Sequence, residues 1–366
     1  MAREELAAWL RLVLTPGVGN ESARKLLAAF GLPKDLFGQP LAALTTVVGE
    51  RLARALQQAP ESLDAEVDQT SRWLGLENHH LLTLGDAAYP PALLQMSDPP
   101  LMLYVVGALG ALDHPNKIAI VGSRNPTPQG QINARQFASA LGEAGLCVVS
   151  GLALGVDGAA HEGALAAHAA TIAVVGTGLD RVYPKRHHDL AHRIAAQGGA
   201  IISEYPLGTP PLPAHFPQRN RIIAGLSQGT LVVEAAVASG SLITARLASE
   251  MGREVFAIPG SIHAPQARGC HALIRQGAKL VESAQDVLED LQLGVAAPSI
   301  STQSTRSADD PEGLLNAMGF DPVGLDALQA RTGLDTAALQ ARMLELELQG
   351  FVSRLPGGLL QQTAQS

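Results

Sequence analysis

Between Lys117 and Glu282 the chain alternates short apolar runs with amphipathic stretches, and few folds satisfy that pattern. Residues 118–121, 147–150, 171–175, 200–203, 230–234 and 254–257 are predicted strands. They are apolar without an in–out alternation, as strands covered on both faces are. Residues 130–144, 156–167, 188–197, 219–225 and 241–251 are predicted helices between them. Strand, helix, strand, repeated, is the α/β doubly wound arrangement: a Rossmann-like parallel sheet core. Ligands in such folds sit beyond the carboxyl ends of the strands, so the residues just after each strand are the candidate site.

The 366 residues suggest more than one domain. Residues 1–78 read as an N-terminal helical domain of helix-hairpin-helix (SAM-like) type, and the helical pattern runs on to about residue 115. In it Thr15-Pro16-Gly17-Val18-Gly19 makes the turn, followed by Arg24 and Lys25. N–H groups at the second helix start suit a DNA phosphate, and a packing module without a ligand fits equally. Residues 79–292 form the predicted Rossmann-like domain, and residues 293–311 have the small, polar composition of a linker. Residues 312–366 read as a C-terminal winged-helix domain with Gly333 at the turn between helices and Pro356-Gly357-Gly358 at the wing. Its second helix offers Arg342 among Glu345 and Glu347, which suits protein contact better than DNA readout.

Net charge is -8, but unevenly spread: residues 117–282 hold 14 basic against 10 acidic side chains, and the rest 12 against 24. Only the middle has a charge suited to a polyanion. No apolar run reaches the ~18 residues of a membrane helix. The acidic start and two lone cysteines, Cys147 and Cys270, lead us to expect a cytoplasmic protein with reduced thiols.

After the first strand comes Gly122-Ser123-Arg124. The glycine admits close backbone approach, the serine and neighbouring N–H groups suit an anion, and the arginine carries a planar fork that fits phosphate. Gly151 and Gly155 stand too far apart for a dinucleotide-binding glycine motif, and Arg181 replaces the last glycine after Gly176 and Gly178, so no cofactor is expected. Tyr183-Pro184 then presents Lys185 from a rigid turn. Further on, Phe216 sits beside Arg219 and Arg221. An aromatic face among guanidinium groups suits an unstacked base and its phosphates. A phenylalanine plugging the loop against the core is the competing reading, and either arginine has a structural alternative.

Two enzyme-like signals compete. Gln228-Gly229-Thr230 with Glu234 resembles the loop of nucleoside-monophosphate phosphoribohydrolases, yet the glutamate falls one residue late, which on a strand or helix turns it away. His187, His188 and His192 lack a clear third type of ligand, so exposed helical histidines are expected rather than a metal site. With neither signal complete, no catalytic residue is expected.

Taken in order, Gly122-Ser123-Arg124, Ser150-Gly151-Leu-Ala-Leu-Gly155-Val-Asp157 through His161, Gly176-Thr-Gly178 through Tyr183-Pro184, Phe216-Pro-Gln-Arg219-Asn220-Arg221, and Gly240-Ser-Leu-Ile-Thr244-Ala-Arg246 resemble the DNA processing protein A (DprA/Smf) family. The resemblance covers residues 80–285. It implies a protein, not an enzyme, that binds and protects single-stranded DNA in natural transformation and recombination. It further implies loading of the RecA recombinase, contact with single-stranded-DNA-binding protein, and a homodimer formed through the Rossmann-like domain. The family's DNA-contacting basic residues correspond to Arg124 and Lys185, with Gly122, Ser123, Tyr183, Phe216, Arg219 and Arg221 completing the expected DNA-binding surface.

Overall fold

The structure is a computed structural model that describes residues 1–293, 314–319 and 321–363. The linker expected at residues 293–311 lies, but for its first residue, outside the described residues.

The N-terminal part is helical: α1 (Arg3–Leu14), α2 (Asn20–Phe30), α3 (Pro33–Leu36), α4 (Leu41–Val48), α5 (Glu50–Gln57) and α6 (Leu63–Leu74). Gly17, at φ 82°, turns α1 into α2. Arg24 donates to the Ser97 carbonyl and Lys25 pairs with Glu21 at 2.8 Å, so both cations offered for DNA have intramolecular partners.

The central unit opens with β1 (His79–Thr83), α7 (Pro91–Leu94), β2 (Met102–Gly107) and α8 (Leu109–Leu112). The helical pattern expected as far as residue 115 is therefore wrong beyond α6. Here Tyr104, Val105 and Val106 pair in a ladder, where packing on a neighbouring strand outweighs local pattern. Then follow β3 (Lys117–Val121), α9 (Pro128–Glu143), β4 (Cys147–Ser150), α10 (Val156–Ala166), β5 (Thr171–Val174), α11 (His188–Ala196) and β6 (Ala200–Ser203). The unit ends with α12 (His215–Leu226), β7 (Gly229–Val232), α13 (Ser241–Glu250), β8 (Glu254–Ala257), α14 (Arg268–Arg275), β9 (Lys279–Leu280) and α15 (Ala284–Asp290).

The strands lie in the order β1-β2-β6-β5-β4-β3-β7-β8-β9, parallel from β6 to β9. Burial explains the unalternating strands. Ile118 and Ile120 enter one core layer, while Ala119 and Val121 enter the other. Each large side chain so buried contributes about 1.5–3 kcal/mol. The antiparallel edge β1–β2 also closes the N-terminal core: Trp73 meets Tyr104 edge-on at 5.6 Å, and Leu81 and Met102 pack with Trp9 and Leu10.

The C-terminal unit comprises α16 (Leu314–Met318), β10 (Val323–Gly324), α17 (Leu325–Thr332), α18 (Thr336–Leu348), β11 (Val352–Leu355) and β12 (Leu359–Gln362). Asp335 caps α18 by accepting the Ala337 and Ala338 N–H groups at 3.0 Å, and Gly333 turns in the left-handed region. This is a winged helix. Cys147 and Cys270 are free and buried. Among the described residues no helix is long and apolar enough to cross a membrane.

His161, fully buried on α10, shares a 2.8 Å hydrogen bond with the Thr171 hydroxyl. Burial, with smaller contributions from His187 and Arg219, pushes its imidazole down to about 3. The unfolded chain takes up that proton near ~6.5, so between the two values it binds more protons than the folded protein. Stability therefore rises with pH through this window and is lost as pH falls through it. His161 should cost about 2 kcal/mol of stability between about pH 7 and about pH 5. Denaturant melts of His161→Asn should be flatter over that range than those of the parent; parallel pH profiles would refute this.

Candidate functional site

A cavity of about 540 Å³ opens at the carboxyl end of β3, where the strand order reverses between β4 and β7. The loop leaving β3 forms one wall with Gly122, Ser123 and Arg124. Two backbone contacts and one to a side chain hold that loop: Ser123 N–H donates to Glu234 O at 2.7 Å, Val156 N–H donates to Ser123 O at 3.1 Å, and Asn125 N–H donates to the Ser123 hydroxyl Oγ at 3.1 Å. The loop crosses directly over the start of α10. Gly155 (φ 82°) permits this, because a Cβ there would strike the Ser123 carbonyl.

The opposite wall is the start of α12. Phe216 is half-buried, and the exposed Arg124 guanidinium stands 5.6 Å from its ring centroid. Tyr183, 47% exposed, meets the same ring at 5.6 Å. Arg124, Phe216 and Tyr183 thus form one row, cation to aromatic to aromatic. Phe216 is no core plug: its ring is shared between Tyr183 and a cation. Lys185 is exposed and opens a 3₁₀ turn, Lys185–His187, two residues past Tyr183 and outside the cavity wall.

Two residues expected on the surface are buried, Arg219 in the lining of this same cavity and Arg221 away from it. Arg219 is 3% exposed and donates to the Gly151 carbonyl at 2.7 Å and to the Val174 carbonyl. Burial pushes it down to about 10, opposed by Asp157. Asp157 is raised by burial and is held back by Arg219 and by the Ala153 and Gly151 N–H groups. Arg221 is 8% exposed and pairs with Glu204 and, at 3.2 Å, with Asp98. Glu204 itself is raised by burial and lowered by Arg221. Both arginines are held inside the fold because a buried guanidinium must be matched by acceptors.

Sequence reasoning passed over a third wall. Ser239, Ser241 and Thr244, at the start of α13, line the cavity with hydroxyls. Gly240-Ser241 and Thr244 stood within the matching motif, and the helix N-terminus they open was the available signal.

The carboxylate of the phosphoribohydrolase-like reading does not face this cavity. Glu234 lies past the end of β7, where Oε1 accepts from Thr127 Oγ1 at 2.6 Å and Oε2 from Thr127 N–H at 2.9 Å. Burial raises its carboxyl above the usual range, opposed by those two bonds. His188 and His192 approach through their Nε2 atoms at 3.2 Å, and His187 bonds to Leu152 O at 2.9 Å. Among the described residues no group of three histidine, cysteine or acidic side chains gathers as a metal site.

A doubly wound sheet whose reversal point carries a glycine loop, an exposed arginine, an aromatic row and a hydroxyl-lined helix start has the chemistry that suits a phosphate and an unstacked base. The family model described as DNA recombination-mediator protein A matches residues 80–292, and that of the DprA winged helix domain matches residues 296–358. The chain is 43% identical to Protein Smf of Escherichia coli over 86% of this chain and 87% of that one. It is 49% identical to DNA processing protein DprA of Streptococcus pneumoniae over 57% and 72%. The X-ray structure of the Streptococcus pneumoniae protein superposes with a TM-score of 0.67 at 38% identity, covering 79% of this chain and 98% of that one. A DNA processing protein A from Helicobacter pylori, described by its single-stranded DNA binding mode, superposes at 0.53 with 35% identity over 58% and 96%. The chain belongs to the DNA processing protein A (DprA/Smf) family.

The division between buried and presented arginines is measurable. Arg221→Leu should destabilise the protein by about 3–5 kcal/mol, because it leaves Glu204 buried and unpaired. Arg124→Ala should fall within about 0.5 kcal/mol of the parent. Comparable losses in denaturant melts of the two variants would contradict the assignment.

Proposed function

We propose that this chain binds single-stranded DNA across the cavity at the end of β3, protects the strand, and loads RecA recombinase onto it during DNA uptake and recombination. The observation that carries the reading is the row Arg124–Phe216–Tyr183 at the mouth of that cavity. An unstacked base rests on an aromatic face while its phosphate meets the adjacent guanidinium; a duplex offers no free base face to such a row. Ser241 and Thr244 add hydroxyl donors at a helix start, where anions are favoured. Lys185 extends the path along the strand beyond Tyr183. The family's name as a recombination mediator supports the RecA step, and we count single-stranded-DNA-binding protein as a further partner. We further propose a homodimer through the Rossmann-like domain, residence in the cytoplasm, and no catalytic turnover. The commitment of Glu234 to Thr127 argues against nucleoside-monophosphate cleavage.

Anisotropy titration of a labelled ~30-nucleotide dT strand at two salt concentrations tests the reading. Binding should weaken with salt and resist duplex competitor. Arg124→Ala should weaken binding about tenfold and make the log–log salt slope shallower by about 0.7. Phe216→Ala should weaken it by about fivefold to a hundredfold with the slope unchanged. Wild-type affinity in both variants would mean that the strand binds elsewhere. Release of free base from nucleoside monophosphates, abolished by Glu234→Gln, would restore the enzyme reading.

A further inference from the structure

The fold spends an unusual set of contacts on Glu234. Its backbone carbonyl accepts the Ser123 N–H at 2.7 Å, at the start of the loop that bears Arg124. Its carboxylate takes both the N–H and the hydroxyl of Thr127, at the end of the same loop. Thr127 Oγ1 in turn accepts the Gly130 N–H at 3.0 Å and caps α9. Gly130 has to be a glycine for this packing, because a Cβ there would fall on the Glu234 carboxylate. One residue therefore grips the five-residue span Ser123–Thr127 at both ends, and the exposed Arg124 and Asn125 lie between the grips.

Glu234 is partly buried and lines a separate cavity of about 490 Å³, and a carboxylate drawn even partly out of water is costly unless its oxygens are matched. Glu234 is matched within this loop, so the cost of opening the loop includes stranding the charge. An arginine on a loop so closed loses little conformational freedom when it meets a phosphate, and that preorganisation appears as affinity. We propose that Glu234 is the positioning residue of the DNA site: it touches no nucleotide, and it holds the Arg124 loop in the shape that receives a phosphate. This rests on the strand-binding reading above.

The test is a double-mutant cycle on dT affinity with the full chain: parent, Glu234→Gln, Arg124→Ala and the pair. Glutamine keeps the shape but brings an NH₂ against one of the two Thr127 donors. Glu234→Gln alone should weaken binding about tenfold, and in the Arg124→Ala background by less than about twofold, since the two act as one unit. Hydrogen exchange should quicken at the Ser123 and Thr127 amides in Glu234→Gln and stay unchanged in Arg124→Ala. Thr127→Val, which removes one of the two donors, gives the same cycle should Glu234→Gln fail to fold. Equal losses in both backgrounds would reduce Glu234 to general stability and overturn the proposal, as would no loss in the parent. If Arg124→Ala itself leaves binding untouched, the strand-binding reading fails and the positioning role falls with it. If Arg124→Ala weakens binding about tenfold while Glu234→Gln behaves additively, only the positioning role fails.

Discussion

At the carboxyl edge of a parallel sheet, carbonyl groups crowd together without partners, and here a single buried cation gathers them. Arg219 bridges Gly151 and Val174, the loop after β4 and the last residue of β5, with Asp157 nearby to offset its charge. Removing a guanidinium from water is expensive, and only such a dense set of acceptors makes it tolerable. The consequence reaches the cavity. Because α12 is pinned through Arg219, Phe216 one turn earlier is held at a fixed distance from the β3 loop. The Arg124–Phe216 contact depends on that anchor although Arg219 has almost no exposed surface.

The three arginines near the cavity therefore differ in kind. Arg219 ties two strand ends together, Arg221 joins α12 to Glu204 and Asp98, and Arg124 alone of the three is exposed. Identical side chains within a hundred residues serve opposite ends because burial decides whether a guanidinium satisfies the fold or remains available to a ligand. Arg221 also ties the site to the N-terminal helices: Glu204 is further lowered by a hydrogen bond from Asn20, the first residue of α2.

Much of this was legible in the residues. The unalternating runs around Ile118, Val148 and Ile172 announced strands covered on both faces, and those runs are where the parallel sheet forms. Gly122, Ser123, Arg124 and Phe216, legible in the motifs as one surface, line one cavity. What stayed hidden depended on partners distant in sequence. Tyr104 and Val105 form strand because β6 lies beside them, nearly a hundred residues on. Arg219 and Arg221 gave no local sign of burial, since their acceptors come from β4, β5, β6 and the Asp98 loop. The hydroxyl wall of α13 stood in plain view as Ser241 and Thr244, but nothing local showed that this helix start faces Arg124 across the sheet reversal.

Glu234 shows how one fold supports different outcomes. A carboxylate that follows the β7 strand of a doubly wound sheet is close to where a hydrolase would need a base. A base must remain free to meet substrate, and its proton must have somewhere to go. Here the spacing from Thr230 to Glu234 carries the side chain off the ligand cavity and onto Thr127, where both oxygens are already occupied. Such a carboxylate accepts hydrogen bonds and resists protonation only so far as those bonds offset its burial; it is poised for holding a loop rather than for moving a proton.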